Sequence, residues 1–437
     1  MSRRRTFSGG AHPPEHKELA EHAAIRRLPA PRQVKVALCQ HLGAPSTPLV
    51  QKGDKVRRGQ EIGGQNGFIS LPTHSPVNGT VAAVEESSMP HRRTGPAVVI
   101  ETESEDGGQV FEPWADYSAH EPAEIVERLR AAGVCGMGGA SFPTYVKLSP
   151  PPGKKIDTLI LNGAECEPYL TADHRLMLER TDEVLLGMGI LAHALGASRA
   201  FLGIEANKPD AVSLFRVAGA EVVELVVKYP QGAEKQLIRA ATGREVPVGG
   251  LPLDVGVVVQ NVGTASAAAR AVRDGEPSIR RITTVSGRGV RAPGNWDVCV
   301  GTPFSDLVEA AGGYTEDACR LLAGGPMMGI AQFTDAVPVT KGTSGIVVLS
   351  SREARGLAEN ACIRCGKCVD ACPMHLVPCA IATAGEHGNW REAERYGAMS
   401  CIACGTCSFV CPSSRFLVHY IKRAQEAIRA LPRAKEA

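Results

Sequence analysis

Eight of the fourteen cysteines fall into two copies of one pattern, and no other feature constrains the chain so tightly. Cys362, Cys365, Cys368 and Cys372 precede Pro373; Cys401, Cys404, Cys407 and Cys411 precede Pro412. Both runs read C-x2-C-x2-C-x3-C-P, the ligand spacing of a protein holding two 4Fe–4S clusters. Three closely spaced thiolates wrap one face of a cubane, and the turns between them aim backbone N–H groups at sulfur. A following helix carries the fourth cysteine away, so that it ligates the other cluster. Cluster one therefore takes Cys362, Cys365, Cys368 and Cys411; cluster two takes Cys401, Cys404, Cys407 and Cys372. Gly366 and Gly405 follow the second cysteine of each run, where a tight loop is needed. Zinc knuckles are the competing reading, but zinc favours paired C-x2-C units, often with histidine.

A chain of 437 residues suggests two to four domains. A net charge of +2 and 5% aromatic residues argue against a nucleic-acid partner. The opening Met-Ser-Arg-Arg-Arg-Thr-Phe has no apolar run behind its arginines. No secretory signal is therefore expected, and clustered cysteines in a reducing compartment point to metal. No stretch reaches the roughly 18 apolar residues of a membrane span. The best candidate, Val184 to Ala197, is too short and includes His193. Any membrane link is expected to be peripheral. Cys39, Cys299 and Cys319 are expected as small buried hydrophobes and Cys379 as packing on a helix.

The pattern of residues divides the chain into a multidomain α/β plus β fold. Residues 1–32, polar and basic with scattered proline, read as a loose N-terminal arm. Residues 33–112 alternate Val, Ile and Thr with Gly and Pro turns, as short strands do. The stretches Gly53-Asp54-Lys55-Val56 and Ser75-Pro76-Val77-Asn78-Gly79 resemble the halves of a lipoyl-carrier barrel-sandwich. Phe68 to Thr73, where the carrier lysine would sit, contains none, so the resemblance implies a docking module without a swinging arm. Residues 113–278 alternate buried-strand runs (Asp157 to Asn162, Arg199 to Ile204) with the helical periodicity of Asp182 to Leu195, which argues for a Rossmann-like α/β domain. Residues 279–350 return to short strands around Gly287, Gly294 and Gly301, with a helix near Pro303. Residues 351–437 hold the two cysteine runs in a ferredoxin-like helical domain that ends in a basic helix.

Two further motifs carry chemistry. Gly133 to Lys147 (GVCGMGGASFPTYVK) is a glycine-rich element whose N–H groups can approach a phosphate. Leu161 to Arg175 (LNGAECEPYLTADHR) directly follows a buried strand, where the loops of a parallel sheet bind ligands. Asn162, Glu165 and Glu167 place an amide and two carboxylates there, groups able to hydrogen-bond an isoalloxazine edge.

These motifs resemble the flavin site of the NADH-oxidising subunit of respiratory complex I, which shows GRGGAGFPTG and NADESEP. Tyr229 to Glu234 (YPQGAE) is similar to its Y-x-x-G-E-E, and Val259 to Thr264 (VQNVGT) to its VNNVET. The resemblance implies FMN held by Gly136, Gly138, Gly139, Lys147, Asn162, Glu165, Tyr229, Gly232 and Asn261. It also implies NADH stacking near Phe142, with Glu167 and Glu234 close by. Met137, Ala164 and Ala233 replace an arginine, an aspartate and a glutamate of that family.

Over nearly its whole length, the order of modules resembles the RnfC family of the Rnf electron transport complex: carrier-like barrel, flavin module, β-grasp module at residues 279–350, GGPMMG, then two cysteine runs. That family implies a subunit passing electrons between NAD(H), FMN and two 4Fe–4S clusters. It also implies partner subunits that move ions, ferredoxin reached through a partner, and peripheral attachment at the cytoplasmic face of the plasma membrane. A cobalamin reductase of bacterial microcompartments shares the layout but matches these motifs less well. A wiring scaffold with an empty flavin site is the remaining alternative.

Overall fold

The computed structural model describes residues 5–354, 356 and 358–431. The arm contributes strand β1 (Ile25–Arg27). A barrel-sandwich follows, built from β2 (Gln33–Ala37), β3 (Thr47–Pro48), β4 (Lys55–Val56), β5 (Glu61–Gly64), β6 (Thr73–His74), β7 (Asn78–Met89) and β8 (Arg92–Ser104). Its two sheets, β2-β8-β7-β4 and β3-β5-β6, are antiparallel. They enclose Val34, Val36, Ile62, Val81, Val98 and Ile100, the alternate residues that face inward in a pleated strand. At the tip that would carry a modified lysine, Phe68 stands 69% exposed.

The central domain contains α1 (Pro122–Ala131), α2 (Thr144–Lys147), β9 (Thr158–Gly163), α3 (Ala172–Glu179), α4 (Thr181–Leu195), β10 (Arg199–Glu205), α5 (Pro209–Val217), β11 (Val222–Leu225), α6 (Glu234–Thr242), β12 (Val257–Asn261) and α7 (Val262–Ala269). The four strands are parallel in the order β11-β10-β9-β12. β9 and β12 each carry an unbroken apolar triplet, Leu159-Ile160-Leu161 and Val257-Val258-Val259, as strands covered on both faces do. Helix α7 is small-residue throughout and wholly buried. It crosses α4 at Gly187, where a Cβ would lie 1.9 Å from the Ala265 carbonyl. The chain runs outward from β9 through β10 to β11 and then returns to β9's other side as β12. The crevice outside the carboxyl ends of β9 and β12 is thus the switch point at which such sheets bind ligands.

A six-stranded sheet follows, made of β13 (Arg280–Ser286), β14 (Gly294–Cys299), β15 (Ala318–Ala323), β16 (Ile330–Gln332) and β17 (Gly345–Ser350), with α8 (Phe304–Ala310) against it. Its sixth strand is β1 of the arm, parallel to β14. The last domain is helical: α9 (Lys367–Asp370), α10 (Pro378–Glu386), α11 (Trp390–Arg395), α12 (Thr406–Phe409) and α13 (Leu417–Ala430). α13 buries Leu417, Ile421 and Ala424 against α10 and α11 and leaves its basic residues outward. Among the described residues, no helix is long and apolar enough to cross a membrane.

The arm is not loose. Residues 1–4 lie outside the described residues, but from Arg5 onward the arm is bonded to its neighbours. Arg5 N donates to Glu224 O at 3.0 Å, and Ala11 and Tyr229 exchange N–H···O bonds of 2.8 and 2.9 Å. Phe7, Ala11 and Ala20 are buried, and so is Lys17. Polarity is a poor guide here because the arm is held by its main chain and by one buried ammonium. Cys319 also departs from expectation and is exposed, whereas Cys299 is buried.

Candidate functional site

The four flavin-type motifs converge on the switch point. Asn162, at the end of β9, is the register partner of Asn261, at the end of β12. Asn162 Nδ2 donates to Gly232 O at 2.8 Å, and its Oδ1 accepts from Ala164 N at 3.1 Å. Asn261 caps α7 by accepting from Gly263 N at 2.8 Å, and its Nδ2 donates to Asp173 Oδ2 at 2.6 Å. The glycine-rich element forms a closed loop, with Gly136 N donating to Phe142 O at 2.8 Å and Thr144 N to Val134 O at 3.1 Å. Gly138 packs so closely that a Cβ would lie 2.7 Å from Asn261 Nδ2, while a Cβ on Gly139 would meet nothing within 4 Å. Phe142 is half-buried at the base of this loop. Lys147 Nζ bridges Glu234 Oε1 at 2.7 Å and Val259 O at 3.1 Å.

Glu165, Glu167 and Tyr229 are likewise engaged by the protein itself. Glu165 caps α3, accepting from Asp173 N at 2.7 Å and His174 N at 3.3 Å. Glu167 accepts from Met327 N at 3.2 Å and Met328 N at 2.7 Å, in the GGPMMG loop. Burial pushes its carboxyl up to about 7. Tyr229 is buried, and its hydroxyl donates to Cys404 O at 2.7 Å.

Several contributors lie beyond the reach of sequence reasoning. Met137 stands where the resembled family has arginine, and a guanidinium reaches the same loop from β13 instead. Arg281 Nη2 donates to Met137 O at 3.0 Å and Nε to Thr343 O at 3.3 Å. Asp173 and Glu165 are its nearby carboxylates. Asp173 is buried, and burial followed by the Glu165 charge raises its carboxyl to about 6. No local spacing rule marks these residues, because each acts across a domain boundary or from a helix start.

Among the described residues, several of the buried polar atoms without a partner lie on these motifs: both amide atoms of Gln231, Gln260 Nε2, Asp173 Oδ1 and Thr144 Oγ1. Buried polar groups are normally satisfied. Together with the open tip at Gly139, these orphans fit a polar, phosphate-bearing ligand such as FMN.

The thiols fit clusters as well. A small, mostly apolar cavity is lined by Cys372, Cys401, Cys404 and Cys407 with Leu376, Pro378, Ile381, Ile402, Val418 and Ile421. Cys372 thus stands with the second run, as crossed ligation requires. Leu376 N donates to Cys372 Sγ at 3.4 Å and Ala403 N to Cys401 Sγ at 3.3 Å. The runs also share one backbone conformation. Arg364, Gly366 and His375 in the first, and Ala403, Gly405 and Ser414 in the second, have positive φ at matching positions. Of the four thiols expected around cluster one, Cys362 and Cys365 are exposed, and Cys368 and Cys411 pack on the helical core. Cys368 is raised by burial and then by the adjacent Cys379 thiol.

Family models match the chain in sequence: an RnfC barrel sandwich hybrid domain at residues 5–105, a Nuo51 FMN-binding domain at 129–270, an SLBB domain at 282–331 and a 4Fe-4S dicluster domain at 356–417. The C component of the proton-translocating ferredoxin:NAD(+) oxidoreductase complex of Clostridium ljungdahlii is 45% identical over 99% of this chain and 96% of its own. The Na(+)-translocating counterpart of Acetobacterium woodii is 44% identical over 97% of each chain. The C component of the ion-translocating oxidoreductase complex of Rhodobacter capsulatus is 43% identical over 90% of this chain and 77% of its own. With flavin-type and cluster-type sites in one fold and identities of this size along its length, the chain belongs to the RnfC family of ion-translocating oxidoreductase complexes.

Proposed function

We propose that this chain is the NADH-facing subunit of a membrane-bound, ion-translocating ferredoxin:NAD+ oxidoreductase, passing electrons between NAD(H), FMN and two 4Fe–4S clusters. The observation that carries this reading is the hydrogen bond from Tyr229 Oη to Cys404 O, 2.7 Å, which joins a flavin-type motif to the loop of cluster two. When bound, FMN would supply the conversion between a two-electron nicotinamide donor and one-electron clusters. The chain supplies the placement. Gly136, Gly138 and Gly139 leave room for the phosphate, Asn162, Gly232 and Asn261 line the crevice, and Lys147 brings a cation held by Glu234. Phe142, Glu167 and Glu234 border the side assigned to the nicotinamide. The apolar lining around Cys372, Cys401, Cys404 and Cys407 keeps water from cluster two.

In the same reading, residues 33–112, 113–278, 279–350 and 351–437 act as the barrel-sandwich, Rossmann-like flavin, β-grasp and ferredoxin-like units. The chain sits peripherally on the cytoplasmic face of the inner membrane, while partner subunits move the ions and meet ferredoxin. Anaerobic stopped-flow mixing with NADH tests the order of events. Flavin absorbance should fall first and cluster absorbance later. Cluster bleaching in protein free of flavin would refute the scheme.

A further inference from the structure

Two lysines lie buried under the loop that follows β9. Lys17, from the arm, is 5% exposed, and Lys208, before α5, is fully enclosed. Lys17 Nζ donates to Leu170 O at 2.6 Å, Glu165 O at 2.8 Å and Glu167 O at 3.1 Å. A neutral amine has two N–H donors and an ammonium three, so three acceptors at bonding distance select the charged form. Lys208 Nζ donates to Ala164 O at 2.7 Å and Asn207 Oδ1 at 3.0 Å, and lies 3.7 Å from Glu205 Oε2. Burial pulls the Lys17 pKa down and Glu165 opposes it, with Lys208, Glu205 and Cys166 also in range.

The effect on the loop is directional. The carbonyls of Ala164 and Glu165 point to the lysines, so the N–H groups of the same two peptides, those of Glu165 and Cys166, point the other way. Among the described residues these two N–H groups have no acceptor. Glu165 also has a left-handed φ of 48°, a conformation that needs outside support in a non-glycine residue. The loop is therefore held with two free donors at the carboxyl end of β9 and two cations behind it.

We propose that Lys17 and Lys208 form a buried cation pair that sets the reduction potential of the flavin, by presenting the Glu165 and Cys166 N–H groups to it and favouring the extra negative charge it carries when reduced. This rests on the flavin reading above. It also gives the N-terminal arm a redox role, since the arm supplies one of the two charges.

The test is spectroelectrochemical titration of the intact chain, clusters included, in wild type, Lys17→Gln and Lys208→Gln. Glutamine keeps a hydrogen-bond donor and removes the charge. At a fixed poise each variant should retain FMN and show a reduced-to-oxidised ratio lower by about tenfold, the effect of one charge across roughly 10 Å at an effective dielectric near 20. Unchanged potentials with full FMN in both variants would overturn the proposal. So would loss of FMN from both with clusters intact, because the lysines would then merely hold the loop. Wild-type protein that binds no FMN would instead sink the flavin reading on which the proposal stands.

Discussion

The phenol of Tyr229 donates to the main-chain carbonyl of Cys404 across 2.7 Å, so a flavin-type motif and the cysteine run of cluster two share one hydrogen bond. The contact is reinforced on either side. Gln236 Nε2 donates to Pro373 O at 3.1 Å, beside Cys372, and Gly10 N donates to Ala371 O at 2.8 Å. Three segments distant in sequence therefore fix the gap between the two cofactor sites.

Tyr229→Phe removes the donor and leaves Cys404 O buried without it, at a cost of about 1–3 kcal/mol. FMN and iron contents should stay at wild-type levels. In stopped-flow traces with NADH, the flavin phase should keep its rate and the cluster phase should slow several-fold. Equal slowing of both phases would place the effect on nucleotide binding instead.

Crossed ligation makes opposite predictions for two cysteines. Cys372→Ser should remove the signal of cluster two, although Cys372 belongs to the first run, and Cys411→Ser should remove that of cluster one. Mössbauer and EPR spectra of the two variants distinguish the clusters. The assignment fails if each serine damages the cluster built on its own run.

Glycines of the glycine-rich loop, proposed to hold the phosphate, differ in the room they have. A Cβ on Gly136 would sit 3.5 Å from its nearest neighbour, whereas one on Gly138 would press on Asn261 Nδ2 at 2.7 Å. Gly136→Ala should retain FMN and Gly138→Ala should lose much of it. Gly136→Asp should lose FMN by charge repulsion while keeping both clusters. Equilibrium dialysis against FMN checks all three.

Glu167 gives stability a pH dependence. Its folded pKa of about 7 lies above the ordinary 4.5, so the fold prefers the neutral form. That preference is fully present below about pH 4.5 and is lost as pH rises through 7, amounting to at most about 3 kcal/mol. Glu167→Gln stays neutral at every pH. Wild type should therefore melt progressively lower than Glu167→Gln between pH 5 and pH 8, under anaerobic conditions. A constant gap would show that Glu167 ionises freely in the folded chain.

What the sequence makes legible is local. The spacing of eight cysteines, the glycine loop and the asparagines at strand ends are short-range signals, each dictated by one cofactor's geometry. The anchoring of the arm is illegible because no composition rule reports that Lys17 will reach three carbonyls some 150 residues away. Arg281 is hidden for the same reason, since its partner Met137 lies in another domain. Glu165 and Glu167 are legible as candidate site residues by position. That their carboxylates are taken up by α3 and by the GGPMMG loop depends on packing that spacing does not encode.

The most direct measurement is of the anaerobically purified chain: iron, acid-labile sulfide and released flavin are quantified, and NADH is then added in the spectrometer. Roughly eight irons, as two such clusters require, with FMN present and the visible bands bleached by NADH, is the expected result. Eight irons with no flavin and no bleaching would contradict the account and leave only a cluster wire.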